Sequence, residues 1–187
     1  ARQALRRDGA KPGDDIWVSG TLGDAAVAVA ARNKRIKLKP AERVHAMRRL
    51  DWPMPRIALG LALRGVARSA IDVSDGLTAD LGHICERSGV AAVVGFERLP
   101  LSALMKKYRT TAVGRSAVIA GGDDYELCFT AAPAKRAAVE RAAQRARTKV
   151  TRIGRVIRAP AGVCSVVMVD HDGLPLSLKQ KGFDHFG

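Results

Sequence analysis

At 187 residues with a formal net charge of +14, the chain is long enough for one substantial core or two small lobes. Hydrophobic residues make up 47% and aromatic residues only 4%, and no apolar run reaches the ~18 residues that a bilayer-spanning helix needs. Composition therefore points to an ordinary α/β or α+β domain rather than a membrane protein. No secretory signal is predicted: Ala1-Arg2-Gln3-Ala4-Leu5-Arg6-Arg7 is basic, with no apolar core behind it. The missing initiator Met suggests a fragment or a processed chain.

In chain order, residues 8–15 carry turn chemistry and 16–19 form a short strand. Residues 20–24 turn into a helix over 25–32, with Asp24 as its N-cap. Pro40 starts a second helix, running to Leu50 with Val44, Met47 and Leu50 on one face. After a loop over 52–56, residues 57–66 are predicted helical, with Ile57, Leu61 and Ala62 as apolar positions. Residues 70–74 read as a strand, Asp75-Gly76 as a turn, and 77–88 as a helix. A β-branched strand over 90–96 and a short helix over 101–108 follow, and 117–120 leads into a Gly121-Gly122 turn. Then come a strand over 126–131, an Ala-rich helix over 133–147 and a strand over 151–157. Residues 163–169 and 174–178 are read as a hairpin around His171-Asp172-Gly173. No linker or repeat divides the chain, so 1–187 reads as a single α+β domain. The closing hairpin favours a mixed β-sheet with helices packed on it over a purely parallel one.

The three cysteines, Cys85, Cys128 and Cys164, are scattered in apolar surroundings. They read as buried free thiols in a reducing, cytoplasmic setting. None of the four histidines (His45, His83, His171, His185) has zinc-ligand spacing with them. Two basic stretches, 32–49 and 135–149, could attract nucleic acid. They lack interleaved aromatics and any helix-turn-helix or RNP pattern, which favours solvated helix faces.

Two acidic clusters stand out against the positive background: Ile71-Asp72-Val73-Ser74-Asp75-Gly76-Leu77 and Gly121-Gly122-Asp123-Asp124-Tyr125-Glu126-Leu127. Carboxylates near a core are costly unless something pairs them, and a hard cation with a phosphate ligand would do so. On a strand, Asp72 and Ser74 share a face, and Asp75 falls at the strand-to-helix turn. The helix N-terminus behind Gly76 would favour an anion. A plainer alternative has Asp75 capping that helix. In the second cluster adjacent carboxylates diverge, so Asp123 and Asp124 serve different partners; the plainer alternative is a Gly-Gly-Asp turn. Gly20-Thr21-Leu22-Gly23-Asp24 lacks the Gly-Lys-Ser/Thr ending of a P-loop, and His83 reads as structural.

In order, these clusters resemble the C-terminal part of the thiamine-monophosphate kinase family, within the superfamily of aminoimidazole-ribonucleotide synthetase and selenophosphate synthetase. The resemblance also takes in 4–14, Val18-Ser19-Gly20-Thr21-Leu22-Gly23-Asp24, Asp80-Leu81-Gly82-His83-Ile84, and the ending Lys181-Gly182-Phe183-Asp184-His185-Phe186. It implies an α+β C-terminal domain of the aminoimidazole-ribonucleotide synthetase type. It also implies transfer of the ATP γ-phosphoryl group to thiamine monophosphate, with Mg²⁺ as cofactor. By this resemblance Asp72 and Asp75 would be Mg²⁺ ligands, Arg7 and Ser74 would touch ATP, and Asp123 and Phe183 would bind the thiamine phosphate. Asp123 stands where the family often has Glu, which shortens its reach by one methylene. No general base is implied. The family's N-terminal domain is absent, so the chain reads as a C-terminal portion inactive alone, and as a homodimer when full length. The alternatives are a superfamily member with another acceptor, or a basic nucleic-acid-binding module.

Overall fold

The computed structural model describes residues 4–176. Alternation along the strands decides the architecture. In β1 (Asp15–Ser19), Ile16 and Val18 join one apolar cluster while Trp17 joins another on the opposite side. Successive side chains of a strand point to opposite faces, so a strand buried on both faces needs helices on both.

Among the described residues the sheet has six strands in the order β2-β4-β1-β5-β3-β6, adding β2 (Ser69–Val73), β3 (Val90–Gly95), β4 (Glu126–Ala131), β5 (Val150–Arg158) and β6 (Val166–Val169). Every pairing is antiparallel except that of β3 with β6. The sheet is mixed, as the sequence reading expected.

One face is covered by α1 (Asp24–Arg32), α4 (Leu77–Ser88) and α6 (Ala112–Ala120), which contribute Val27, Leu77, Leu81, Ile84 and Val118 to the larger core. The other face carries α3 (Ile57–Ala62) and α7 (Arg136–Arg145), where Leu59, Leu63, Val139 and Ala142 pack around stacked Trp17 and Phe129 rings 6.4 Å apart. A satellite cluster of Ala28, Ala46 and Leu104 joins α1 to α2 (Pro40–Asp51) and α5 (Ala103–Tyr108).

Several local expectations are corrected. The N-cap of α1 is Gly23, at φ 92°, and Asp24 is the first helical residue. On α2, Val44 is exposed, while Ala46, Met47 and Leu50 face the core. On α3, Ile57 and Leu61 lie outside and Leu59 and Leu63 inside. That helix ends at Ala62, four residues short of the predicted end. The helix over 112–120 was not anticipated. The predicted helix over 133–147 opens with a 3₁₀ turn and is α-helical only over 136–145. β6 pairs in parallel with β3, and the predicted hairpin is seen in part: an antiparallel bridge joins Val169 to Pro175, with the Leu176 N–H donating to the Met168 carbonyl at 2.8 Å, while 177–178 of its second arm lie outside the described residues.

Candidate functional site

Register brings the two acidic clusters together. In the antiparallel pair of β2 and β4, Val73 faces Glu126 and Asp72 faces Leu127, so the loop leaving β2 and the loop entering β4 meet at one end of the sheet. The Asp123 N–H donates to the Ser74 carbonyl at 2.9 Å, and the Tyr125 N–H donates to the Val73 carbonyl at 2.8 Å. Glycine makes this approach possible. A Cβ on Gly122 would collide with the Ser74 carbonyl oxygen, and one on Gly76, at φ 112°, would lie 2.7 Å from the Ala120 carbonyl carbon. Asp123 and Tyr125 both hold positive φ, 67° and 49°. Such strain in non-glycine residues concentrates at functional sites.

The first loop is organised by a residue that the sequence reading left without a role. Asp80, buried in the first turn of α4, accepts N–H bonds from Ser74 and Asp75 at 3.0 Å and from Gly76 at 3.1 Å, all on Oδ2. These three donors lie in the loop ahead of Leu77, so Asp80 fixes the backbone of the loop that leads into α4. Burial pushes the Asp80 carboxyl up to about 6, and the charges of Asp75 and Asp72 add to the rise against the pull of the Asp75 and Ser74 N–H groups. A signal was available: an acid in the first helical turn can reach back to the loop's amides.

Asp72 is exposed on the edge strand ahead of this loop, and Ser74 and Asp75 are half-buried. Asp72 has the parity of Ala70, which packs on the α3 side of the sheet. Arg7, exposed, lines the same groove as Asp72. Asp123 is half-buried above Ser74. Phe183 lies outside the described residues. Among the described residues, the tight cluster of three ligand-type side chains is the surface turn Asp170, His171 and Asp172, not the acidic loops. Asp72 and Asp75 thus form no closed protein cage. Mg²⁺ is ordinarily held by one or two carboxylates, with water and phosphate completing its octahedron, and two hard oxygen donors, one near the end of β2 and one in the turn after it, fit that pattern.

Below the second loop lies a charge network. Glu126, fully buried, accepts the Ser19 hydroxyl at 2.5 Å, Arg49 at 2.8 Å, and Arg56 through two bonds of 2.6 Å. Burial alone would raise its pKa, but the bonds from Arg56, Ser19 and Arg49 outweigh that and hold it below the usual carboxylate range. A Cβ on Gly20 would collide with this carboxylate, which explains the glycine. Arg49 belongs to one of the basic stretches, so part of that charge is structural. Asp124 is also buried; its Oδ2 accepts the Gly23 N–H at 2.7 Å, while Oδ1 has no partner among the described residues. Burial pushes its carboxyl up to about 8, against the pull of the Gly23 N–H and Arg49. His83 is exposed beside Glu86 at 3.5 Å, away from this chemistry.

Residues 11–167 match the family described as AIR synthase related protein, C-terminal domain. The chain belongs to this family. Over its whole length it is 40% identical to the thiamine-monophosphate kinase of Salmonella typhimurium strain LT2, of which it covers 56%. The Escherichia coli K12 thiamine-monophosphate kinase is likewise 40% identical over 98% of the chain, which covers 56% of it. This AIR synthase-related domain therefore spans about half the length of the curated relatives it matches. Among solved structures, the thiamine-monophosphate kinase of Stenotrophomonas maltophilia K279a is similar at a TM-score of 0.81 and 45% identity, covering 93% of this chain and 54% of that one. A structure of AaThiL complexed with AMPPCP and TMP is similar at a TM-score of 0.74 and 31% identity, covering 97% and 54%. These likenesses agree with the mixed sheet and its two helical layers.

Proposed function

We propose that the chain is the C-terminal half of an enzyme that transfers the ATP γ-phosphoryl group to thiamine monophosphate, giving thiamine diphosphate. The observation that carries this reading is the contact between the two acidic loops, where Asp123 and Gly122 sit on the Ser74 backbone. Phosphoryl transfer asks a protein chiefly to position reactants and stabilise charge. One loop supplies Asp72 and Asp75 for Mg²⁺ and Ser74 for ATP, with Arg7 across the groove for a phosphate oxygen. The other supplies Asp123 to the substrate, and Phe183 offers it an aromatic face. Bound Mg²⁺ would neutralise charge on the phosphates; the chain's own part is to hold the reactants in line. No side-chain base is required, because the accepting phosphate oxygen is already ionised at neutral pH.

Support comes from the thiamine-monophosphate kinases at 40% identity and from the relative complexed with AMPPCP and TMP. Half the length of those relatives is missing from this chain, so the reading includes inactivity alone and activity, as a homodimer, only with the remaining half. Three free thiols suit a reducing cytoplasm. The shorter reach of Asp123 favours one second reading, a different phosphorylated acceptor.

Incubation with ATP, Mg²⁺ and thiamine monophosphate tests the proposal. The chain alone should form no thiamine diphosphate, and the same chain extended by the remaining half should form it. Product from the chain alone would refute the inactivity. Turnover by the extended protein of other phosphorylated acceptors, but not of thiamine monophosphate, would overturn the substrate.

A further inference from the structure

The turn Gly20-Thr21-Leu22-Gly23-Asp24 takes no part in the proposed reaction, yet the second acidic cluster is seated on it. The turn itself is fixed from elsewhere. The Gly20 N–H donates to the Lys149 carbonyl at 2.9 Å and the Leu22 N–H to the Pro100 carbonyl at 3.0 Å. Asp24, wholly buried, accepts the Ser102 hydroxyl at 2.6 Å and the Thr21 hydroxyl at 3.3 Å. Two acids of the second cluster dock on this fixed turn. Glu126 fills the space over Gly20, and Asp124 accepts the Gly23 N–H at 2.7 Å from 101 residues along the chain.

Asp124 stands between Asp123 and Tyr125, both at positive φ. Residues with a Cβ keep that conformation only where their surroundings impose it. Main-chain bonds to Ser74 and Val73 hold this backbone on one side. On the other side the buried Asp124 side chain holds it through Oδ2 alone, since Oδ1 has no partner among the described residues. A buried carboxyl with one oxygen unsatisfied is costly. What it supplies in return is a tie between a strained loop and the entry of α1.

We propose that Asp124 is a positioning residue: its carboxyl fastens the second loop to the Gly23 N–H and so holds Asp123 over Ser74, in the place from which it meets the phosphate acceptor. The proposal rests on the reading of Asp123 as a substrate carboxylate, and Asp124 acts through it. The fastening is made by the neutral acid, with the proton on Oδ1 and the Gly23 N–H on Oδ2. Asp24 from α1 and Glu126 from β4 oppose ionisation, while Arg49 from α2 favours it. Behind them, His45 lies 3.5 Å from Asp24 and Arg56 is bound to Glu126. Burial outweighs the rest and lifts the carboxyl to about 8. A loosened loop would return Asp124 to water as an ordinary carboxylate, so the fastened state loses ground as pH rises towards 8.

Amide hydrogen exchange on the chain itself reads the fastening without turnover. Asp124→Ala should speed exchange at Asp123 and Tyr125, the donors to Ser74 and Val73, by about tenfold, the scale of one lost hydrogen bond. Asp124→Asn keeps an oxygen for the Gly23 N–H and should leave both protected. In the extended protein, Asp124→Ala should raise KM for thiamine monophosphate roughly tenfold, inside the ~100-fold that a misplacement of ~1 Å can cost. KM for ATP, read at the other loop, should change less than about twofold, and Asp124→Asn should restore the wild-type values. Between pH 6.5 and pH 8.5, KM for thiamine monophosphate should rise in the wild type relative to Asp124→Asn, which has no carboxyl proton to lose. An alanine variant that loses stability while exchange and KM stay at wild-type values overturns the proposal, as does failure of the asparagine variant to rescue, or parallel pH profiles. Should the alanine variant not fold, the pH comparison of wild type with Asp124→Asn decides alone, in exchange as in KM. The kinase reading fails separately: an extended protein that forms no thiamine diphosphate, but whose Asp123 and Tyr125 amides still answer to Asp124, sinks that reading and leaves the fastening.

Discussion

At the scale of single residues, two buried acids under the second loop respond to pH in opposite directions. Glu126 has a folded pKa below its unfolded value, so its contribution is present above the unfolded pKa and is lost as pH falls through the folded one. Asp124 is raised to about 8. Its contribution is complete below the unfolded carboxylate pKa and is lost as pH rises towards 8, because the buried carboxyl must then ionise. Asp124→Asn keeps an oxygen for the Gly23 N–H and removes that ionisation. Thermal melts from pH 5 to pH 9 should show the wild type losing stability towards the alkaline end and the variant losing less; parallel profiles would count against a neutral Asp124. Glu126→Gln leaves Arg49 and Arg56 beside a neutral group, with both side chains only 19% exposed. Removing one partner of a buried pair costs roughly 3–5 kcal/mol, and the partial exposure of the arginines places the expected loss at the lower end. Urea denaturation measures it.

At the scale of elements, the site depends on how closely a strand-to-helix loop and a loop-to-strand junction approach. Asp80→Ala strips three backbone N–H groups of their acceptor at once, where each unsatisfied buried group costs about 1–3 kcal/mol. Two of the three donors belong to half-buried residues that water can reach, so a total near 2–3 kcal/mol is expected. Asp80→Asn, which retains an acceptor oxygen, should recover most of it. Faster hydrogen exchange at Ser74, Asp75 and Gly76 in the alanine variant, but not in the asparagine variant, would locate the effect in the loop. Much of this arrangement was legible in the sequence. The span of α4 from Leu77 to Ser88 and that of β4 from Glu126 to Ala131 follow directly from apolar patterning and turn chemistry. Asp72, Ser74, Asp75 and Asp123 stood out as acids and hydroxyls beside glycines. What could not be read there depends on tertiary partners. Periodicity gave α3 an apolar face at Ile57 and Leu61, but the sheet takes Leu59 and Leu63. The 112–120 helix begins at a Thr111 cap whose side chain accepts the Gly114 N–H, a signal hidden among weak helix formers. Asp80 and Glu126 stood in motifs but carried no role there, because the amides and arginines around them are brought by the fold.

At the scale of the whole molecule, 32 basic residues face 18 acidic ones, and their distribution decides how stability responds to salt. The short ion pairs of Glu126, Asp14 and Asp15 engage carboxylates that are nearly or wholly buried, where screening is weak. The surplus charge sits on outer faces, at residues such as Arg43 and Arg48 of α2 and Arg141 and Arg145 of α7. Net charge this far from zero strains the compact state through self-repulsion, and a Debye length near 8 Å at physiological ionic strength removes most of it. Raising sodium chloride from about 0.02 M to 0.2 M, across which the Debye length falls severalfold, should therefore raise the melting temperature. A gain of about 1 kcal/mol corresponds to roughly 2–4 °C in a domain of this size. A fall with salt would mean that exposed ion pairs outweigh the repulsion. At matched ionic strength, ATP with Mg²⁺ should raise the melting temperature further than sodium chloride does, because a ligand that binds only the folded state stabilises it in proportion to the logarithm of its occupancy.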